Sequence, residues 1–401
     1  MAMQNVPASA VERLAATGSE IWWDSSPLIF SAWVDEMVGK VCCPNTAEAL
    51  RTQLSRMYRF DDPAASVLRG ITTNPPLSLA VVKGDQAGWD NWTEKYIKEH
   101  PEVTTPELFW ATYKEVVRRG AEMFRPIFEA SGYKEGYLSG QVDPRILQDT
   151  DAMVKQGVEL NNMAKNVMIK MPGTKEGIEG IRRLTAMGIP TNATLTFTVS
   201  QLVAVAEAVK AGLAEARAKG VDLSKWRSVV TMMLGRMEDA KVFAEQAASL
   251  GIELSETDKR WAGVAVFKKI YRIYKERGYE SKELAASMRL GPTIDGKLSI
   301  WHIEKLAGMD VVLTVFPNIF EGWLNAYADR EIVSNEGEEV PAEVLEKLLK
   351  VPYFRQAYDE NGLAPEEFIN QPAVVETKTQ FNAATDEFEA YCASRIKAVK
   401  G

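Results

Sequence analysis

Lys170 stands near the end of the run NVMIKM, directly after Val167, Met168 and Ile169, and ahead of PGTKEG. An amine in such apolar company is poorly solvated, so its ammonium form is disfavoured and the neutral, nucleophilic form gains. A lysine so placed can attack a carbonyl; the alternative is an ordinary strand-end lysine snorkelling to water. The condensation product with a ketone is an iminium, an electron sink that lets the neighbouring carbon–carbon bond break. A carboxylate such as Asp24, at the end of EIWWD, can take the hydroxyl proton at the leaving carbon. That is class I aldol chemistry, which needs no metal and no cofactor. Asn74 and Asn192 can hold sugar hydroxyls, and Thr194 can position a water for proton transfer. Arg236 in TMMLGRMED and Arg289 in LAASMR bring two cations, with Ser287 as a further donor, and two converging arginines suit a phosphate.

Positioning these groups requires strands. Eight short β-type runs alternate with helical patterns: EIWWD, VLRGITTN, GYLSGQVD, NVMIKM, TNATLTF, SVVTMML, LAASMR and DVVLTVF. In TKEGIEGIRRLTAMG, Thr174 and Glu176 open a helical turn and Gly188 closes it. SQLVAVAEAVKAGLAEARAKG has the same character and ends at Gly220. Eight such units predict an α/β fold, a closed (β/α)8 TIM barrel, with an open doubly wound sheet as the other arrangement. Alternation along the strands then sorts the polar residues. Asn192, Thr194 and Thr196 share one side of the fifth run, Ser139, Gln141 and Asp143 one side of the third, and Ala285, Ser287 and Arg289 one side of the seventh. Several strands therefore deliver a polar group to their carboxyl ends, where barrel enzymes place their chemistry.

A barrel takes about 250 residues, so the chain of 401 reads as one elaborated domain, 1–401. Its core spans about 19–320, with a helical insertion after the second strand at about 84–132 and carboxy-terminal helices at about 320–401. The insertion holds Trp89, Trp92 and Trp110. The last helix repeats Val374, Phe381 and Phe388 every seven residues, with Ala384 and Tyr391 between them. Both additions read as helical padding on the outside of the barrel. Net charge of −8 without a basic, aromatic-interleaved run gives nucleic acid no purchase. Three cysteines, the adjacent Cys42 and Cys43 and the distant Cys392, make no disulfide framework, which suits a reducing cytoplasm. The vicinal pair reads as buried small hydrophobes in preference to a metal or oxidant site. MAMQNVPASAVERLAATGSE has no basic segment leading into an apolar core, and no 18-residue uncharged apolar stretch follows, so neither export nor a membrane partner is expected.

The motifs, taken in order, resemble the transaldolase family: GITTNPPL, SGQVDPR, VMIKMPGTKEG, GIPTNATLTF, TMMLGRMED, AASMR and IEKLAGMDVVLTVFP, scattered over Glu20 to Pro317. The resemblance implies that Lys170 is the Schiff-base nucleophile and Asp24 the acid/base, with Gln141 and Thr194 in the catalytic set. It implies that Thr73, Asn74 and Asn192 contact substrate and that Thr231, Met233, Arg236, Ser287 and Arg289 surround the phosphate. The implied reaction moves a dihydroxyacetone unit from a ketose phosphate, such as fructose 6-phosphate or sedoheptulose 7-phosphate, to an aldose phosphate. The implied partners are small sugar phosphates, and a homo-oligomer is left open.

Three positions depart from that pattern. Gln141 stands where transaldolases carry glutamate, a replacement shared with fructose-6-phosphate aldolases. Met233 stands where transaldolases carry phenylalanine and those aldolases tyrosine, and Thr231 where serine is usual. A ketose-phosphate aldolase of the same family is therefore a second expectation. A barrel that binds a sugar phosphate without turning it over is a third.

Overall fold

A strand buried on one side by helices and on the other by the barrel interior must be filled on both faces, and the eight runs are. The computed structural model describes residues 6–401; Met1–Asn5, part of the amino-terminal stretch read above, lie outside the described residues. The barrel strands are β1 (Glu20–Trp23), β2 (Leu68–Thr72), β3 (Tyr137–Gln141), β4 (Val167–Pro172), β5 (Thr191–Thr194), β6 (Ser228–Met233), β7 (Lys282–Ala286) and β8 (Val312–Val315). Each pairs in parallel with its sequence neighbours, and β8 pairs back onto β1, so the sheet is a closed eight-stranded TIM barrel. A small hairpin, Thr293–Ile294 with Lys297–Leu298, sits between β7 and β8. No helix among the described residues is long and apolar enough to cross a membrane.

Strand alternation divides the interior into a dry floor and a polar upper storey. Trp22, Tyr137, Met168, Val229, Leu284 and Val312 form an apolar cluster inside the barrel. Ile21, Trp23, Ile71, Leu138, Ile169, Ala193, Val230 and Leu313, on the outward strand faces, belong to the larger core shared with the helices. The Trp22 indole occupies the space that a side chain on β2 would need: a Cβ on Gly70 would lie 2.3 Å from it. Gly70→Ala is therefore expected to lower unfolding stability by about 1–3 kcal/mol, as overpacking does. Urea denaturation checks this, and an unchanged midpoint would show that the floor can yield.

The helices used below are α1 (Pro75–Gly84), α2 (Gln86–Glu99), α3 (Thr105–Ala130), α4 (Leu234–Glu238), α5 (Glu256–Arg277), α6 (Trp301–Leu306) and α7 (Pro372–Lys400). Sequence punctuation falls where expected at the helix after β4: Thr174 accepts from the Gly177 amide at 3.1 Å, and Gly188 leaves in the left-handed region at φ +76°.

Four expectations are corrected. The region 84–132 is not all surplus, because α3 is the wall helix of the second βα unit. Its Gly120 lies against Leu138 and its Val117 against Gly140, both on β3. Only α2 stands outside the barrel plan, and its Trp89 packs under the Arg119 guanidinium, 4.6 Å from ring to cation. In β7 the expected shared face of Ala285, Ser287 and Arg289 fails. Ala285 faces the helical layer while Leu284 and Ala286 face inward, and Ser287 breaks the alternation with φ +61°. Cys42 and Cys43 are exposed, not buried, at the entrance to the helix Pro44–Met57; Cys392 is buried. The fourth correction concerns α7, which holds parts of the site, as described next.

Candidate active site

At the carboxyl ends of the strands a cavity of about 550 Å³ opens, enough for a phosphorylated sugar. Asp24, Asn74, Lys170, Thr231, Met233, Arg236, Ser287 and Arg289 are on its wall. Five of the eight strands or the segments that follow them contribute at least one of these side chains.

Lys170 is buried, and its Nζ donates to the Thr73 carbonyl at 2.9 Å. Burial drives its pKa down to about 8, Asp24 opposes that shift and Arg236 adds to it. At pH 7 roughly one amine in ten is then neutral, against fewer than about one in a thousand for an unperturbed lysine. Asp24 shows the opposite displacement. Burial raises its pKa, and the Lys170 charge, a hydrogen bond from Thr72 and the Arg236 charge hold it back. Thr72 Oγ1 donates to Asp24 Oδ1 at 2.8 Å and is itself hydrogen-bonded to Thr314. Since the Thr72 proton is committed to the carboxylate, Thr314 is the donor of that second bond.

Parallel pairing places Gln141, Lys170 and Asn192 side by side across β3, β4 and β5. Asn192 is fully buried, with its amide nitrogen donating to Ser139 Oγ at 2.9 Å and its oxygen accepting from Thr231 Oγ1 at 2.7 Å. It braces β3, β5 and β6 beneath the cavity and is not part of the cavity wall. Gln141 is also off the wall, and its Oε1 is a buried acceptor with no partner among the described residues. Its backbone N–H and C=O are both taken by the Tyr113 hydroxyl of α3, at 2.8 Å each. Thr194 Oγ1 lies 3.8 Å from Met233 Sδ, a weak contact. Thr73 acts through its carbonyl on Lys170, its own hydroxyl donating to the Ser139 carbonyl at 2.8 Å. Asn74 caps α1 by accepting from the Leu77 amide at 3.0 Å, which leaves its NH₂ group for the cavity.

Arg236 and Arg289 lie close enough that burial and the Arg289 charge both lower the pKa of Arg236. Arg289 is braced by Asp239 through Nε at 2.8 Å and by the Ser287 carbonyl through Nη1 at 2.9 Å. A Cβ on Gly235 would come within 2.8 Å of its guanidinium, so only glycine lets α4 approach this closely. Arg236 donates through Nη1 to Gln380 at 2.6 Å and lies over Phe381, 5.4 Å from the ring. Both partners belong to α7. That helix continues to the β3 loop, where Asp386 and Glu389 pair with Arg145, and to α1, where Glu387 pairs with Lys83. It is a strut along the cavity rim, not padding on the outer wall. Two guanidinium groups on one cavity wall, with only Asp239 paired to one of them, form a site for an anion.

Sequence reasoning missed Thr72, Thr314, Phe316 and Asn318 on this wall. Strand alternation carried a signal for Thr72, two residues before Asn74. Nothing in the spacing marked Phe316 or Asn318, which follow the end of β8. Among the described residues no cluster of three or more His, Cys, Asp or Glu side chains converges as metal ligands would.

Residues 58–368 match the family described as Transaldolase/Fructose-6-phosphate aldolase. The chain belongs to that family. A transaldolase of Thiobacillus denitrificans is 31% identical over 258 residues, covering 63% of this chain and 67% of that protein. Transaldolase 1 of Streptomyces avermitilis is 28% identical over 249 residues, 61% of each chain. A transaldolase of Trichodesmium erythraeum is 28% identical over 307 residues, 70% of this chain and 78% of the other. The match spans only 55% to 64% of the length of the Streptomyces proteins. The family match runs past Pro317 into the carboxy-terminal helices, further than the motifs alone indicated. It begins after β1, so Asp24 rests on geometry.

Proposed function

We propose that this protein is a transaldolase-type transferase that carries a dihydroxyacetone unit from a ketose phosphate to an aldose phosphate on a lysine Schiff base. The observation that carries this reading is the buried Lys170 amine, its pKa near 8, sharing a cavity with Asp24 and two arginines. In this scheme Arg236 and Arg289 take the donor's phosphate and bring its carbonyl to Lys170. The neutral amine adds, and loss of the carbinolamine hydroxyl as water gives the iminium. Asp24, its pKa raised, takes the proton from the hydroxyl at the carbon beyond the breaking bond. The electrons of that bond pass into the iminium, leaving an enamine and a free aldose phosphate. The steps reverse on the acceptor aldehyde. Gln141, with an unpartnered amide oxygen in register with Lys170, can accept from a water at the carbinolamine but cannot take its proton.

The same glutamine favours a second reading, ketose-phosphate aldol cleavage in which the enamine is protonated and dihydroxyacetone released. Adding erythrose 4-phosphate separates the two. Product that requires the acceptor supports transfer; glyceraldehyde 3-phosphate and free dihydroxyacetone without it support cleavage. Gln141→Glu is expected to shift the ratio toward transfer, because a carboxylate there can relay the proton. An unchanged ratio would remove Gln141 from the explanation.

The amine's titration gives an independent test. Since only neutral Lys170 attacks, the rate of borohydride-trapped adduct formation with dihydroxyacetone should rise about tenfold per unit as pH increases toward 8 and level off above it. A rate still climbing at pH 10 would contradict a desolvated amine.

A further inference from the structure

Behind the cavity, between α4, α5 and α6, lies a run of buried polar groups that the scheme above does not use. Arg260 of α5 donates through Nη1 to Glu238 Oε2 at 2.8 Å. Glu238 Oε1 lies 2.8 Å from His302 Nε2 on α6, and both side chains are fully buried. His302 Nδ1 lies 3.2 Å from the backbone nitrogen of Arg289. A backbone N–H can only donate, so Nδ1 accepts; the ring proton is then on Nε2 and is donated to the Glu238 carboxylate. Directions are consistent along the whole run, from guanidinium to carboxylate, imidazole N–H to carboxylate, and amide N–H to imidazole.

The run ends on the anion clamp. Arg289 follows Ser287, whose φ of +61° breaks β7, so no strand ladder fixes its backbone. His302 supplies that fixed point. The adjacent carboxylate, Asp239, holds the same arginine's Nε at 2.8 Å, and Arg260 Nη1 lies 3.8 Å from Asp239. Room for Glu238 is provided by Gly263 of α5, where a Cβ would fall 2.2 Å from its Oε1. Burying a carboxylate and a guanidinium is costly unless each is paired, and a packing role would be met at lower cost by apolar side chains.

We propose that Arg260, Glu238 and His302 form a buried positioning relay that sets the backbone of Arg289 and so tunes affinity for the substrate's phosphate. The inference rests on reading Arg236 and Arg289 as an anion clamp. None of the three relay residues is on the cavity wall, so they act through Arg289 and not on the sugar.

The test uses the full chain with inorganic phosphate as probe, in wild type, His302→Phe and His302→Gln. Phenylalanine keeps the ring's bulk and removes both hydrogen bonds; glutamine keeps one acceptor and one donor. Phosphate affinity measured by calorimetry should fall about tenfold in His302→Phe and stay within about threefold in His302→Gln. Adduct yield on Lys170 with unphosphorylated dihydroxyacetone should be the same in all three. Wild-type phosphate affinity in His302→Phe overturns the proposal, as does parallel loss of phosphate binding and adduct formation, which would mean general loosening. Nitrogen NMR of wild type, which has only two histidines, needs no variant to fold. His302 should be protonated on Nε2, and protonation on Nδ1 would overturn the relay. The two readings fail separately. Wild type that forms the adduct yet binds no phosphate sinks the clamp and this proposal together, leaving the amine chemistry standing. Absence of adduct with the expected phosphate response leaves the relay in place and removes the reaction.

Discussion

Lys170→Met should lower kcat by at least about four orders of magnitude while changing affinity for fructose 6-phosphate by no more than a few-fold. The asymmetry follows from where the binding groups are. The phosphate contacts are assigned to Arg236 and Arg289 and the sugar contacts to Asn74, and none of these side chains is hydrogen-bonded to the lysine, whose partner is the Thr73 carbonyl. Methionine approximates the volume of lysine and needs no acceptor, so the cost of a buried ammonium disappears along with its one hydrogen bond to the Thr73 carbonyl. The variant should fold at least as stably as wild type. Steady-state kinetics and calorimetry on the same preparation check both halves. A variant retaining near-normal turnover would end the Schiff-base assignment, and one that lost binding in proportion would show that the amine serves mainly as an anchor.

The second large effect is expected from Asp24→Asn, which should slow cleavage of fructose 6-phosphate by about 10²–10⁴-fold. Asparagine keeps an oxygen for Thr72 to donate to, so the local geometry survives and the loss is chemical. The iminium should still form, because Lys170 and not Asp24 attacks the carbonyl. A borohydride adduct with dihydroxyacetone is therefore expected from a variant that no longer breaks the carbon–carbon bond. The sign of the accompanying titration shift is fixed. The Asp24 charge raises the Lys170 pKa, so removing it lets burial and Arg236 push the amine further down. The plateau in adduct formation should move to lower pH. A plateau moving upward, or undiminished cleavage, would remove Asp24 from the acid/base role.

How much of this was legible in the chain depends on which physics placed each residue. β3, β4 and β5 follow simple alternation, so the neighbourhood of Lys170, Gln141 and Asn192 could be read from spacing two apart. Side-chain direction was legible; hydrogen-bond commitment was not. Asn192 points inward as expected, yet both ends of its amide are already taken by Ser139 and Thr231, partners on other strands that a linear pattern does not reveal. Where the backbone leaves the strand conformation, alternation carries no information. Ser287 reaches the cavity only because of its left-handed turn, and the shared face assigned to Ala285 and Ser287 was an artefact of extending the period past Ala286. The helix α3 was misassigned for a related reason. A longer than usual excursion follows β2, and composition alone does not say which of two consecutive amphipathic helices packs on the sheet. The role of α7 was the least accessible, since its heptad-spaced apolar residues describe the face it buries, while Gln380 and Asp386 act from other faces.

The distance in sequence between Arg236 and Gln380, 144 residues, has a consequence for how activity is acquired. Amine and carboxylate come onto one cavity once β1 and β4, which β2 and β3 separate in the ring, are both in place, but one arm of the proposed anion clamp takes its hold from a helix laid down after β8. On the proposed reading, a chain emerging from the ribosome completes its β-ring before the helix that steadies Arg236 is made. The grip on an anion would then be the last part of the site to be assembled.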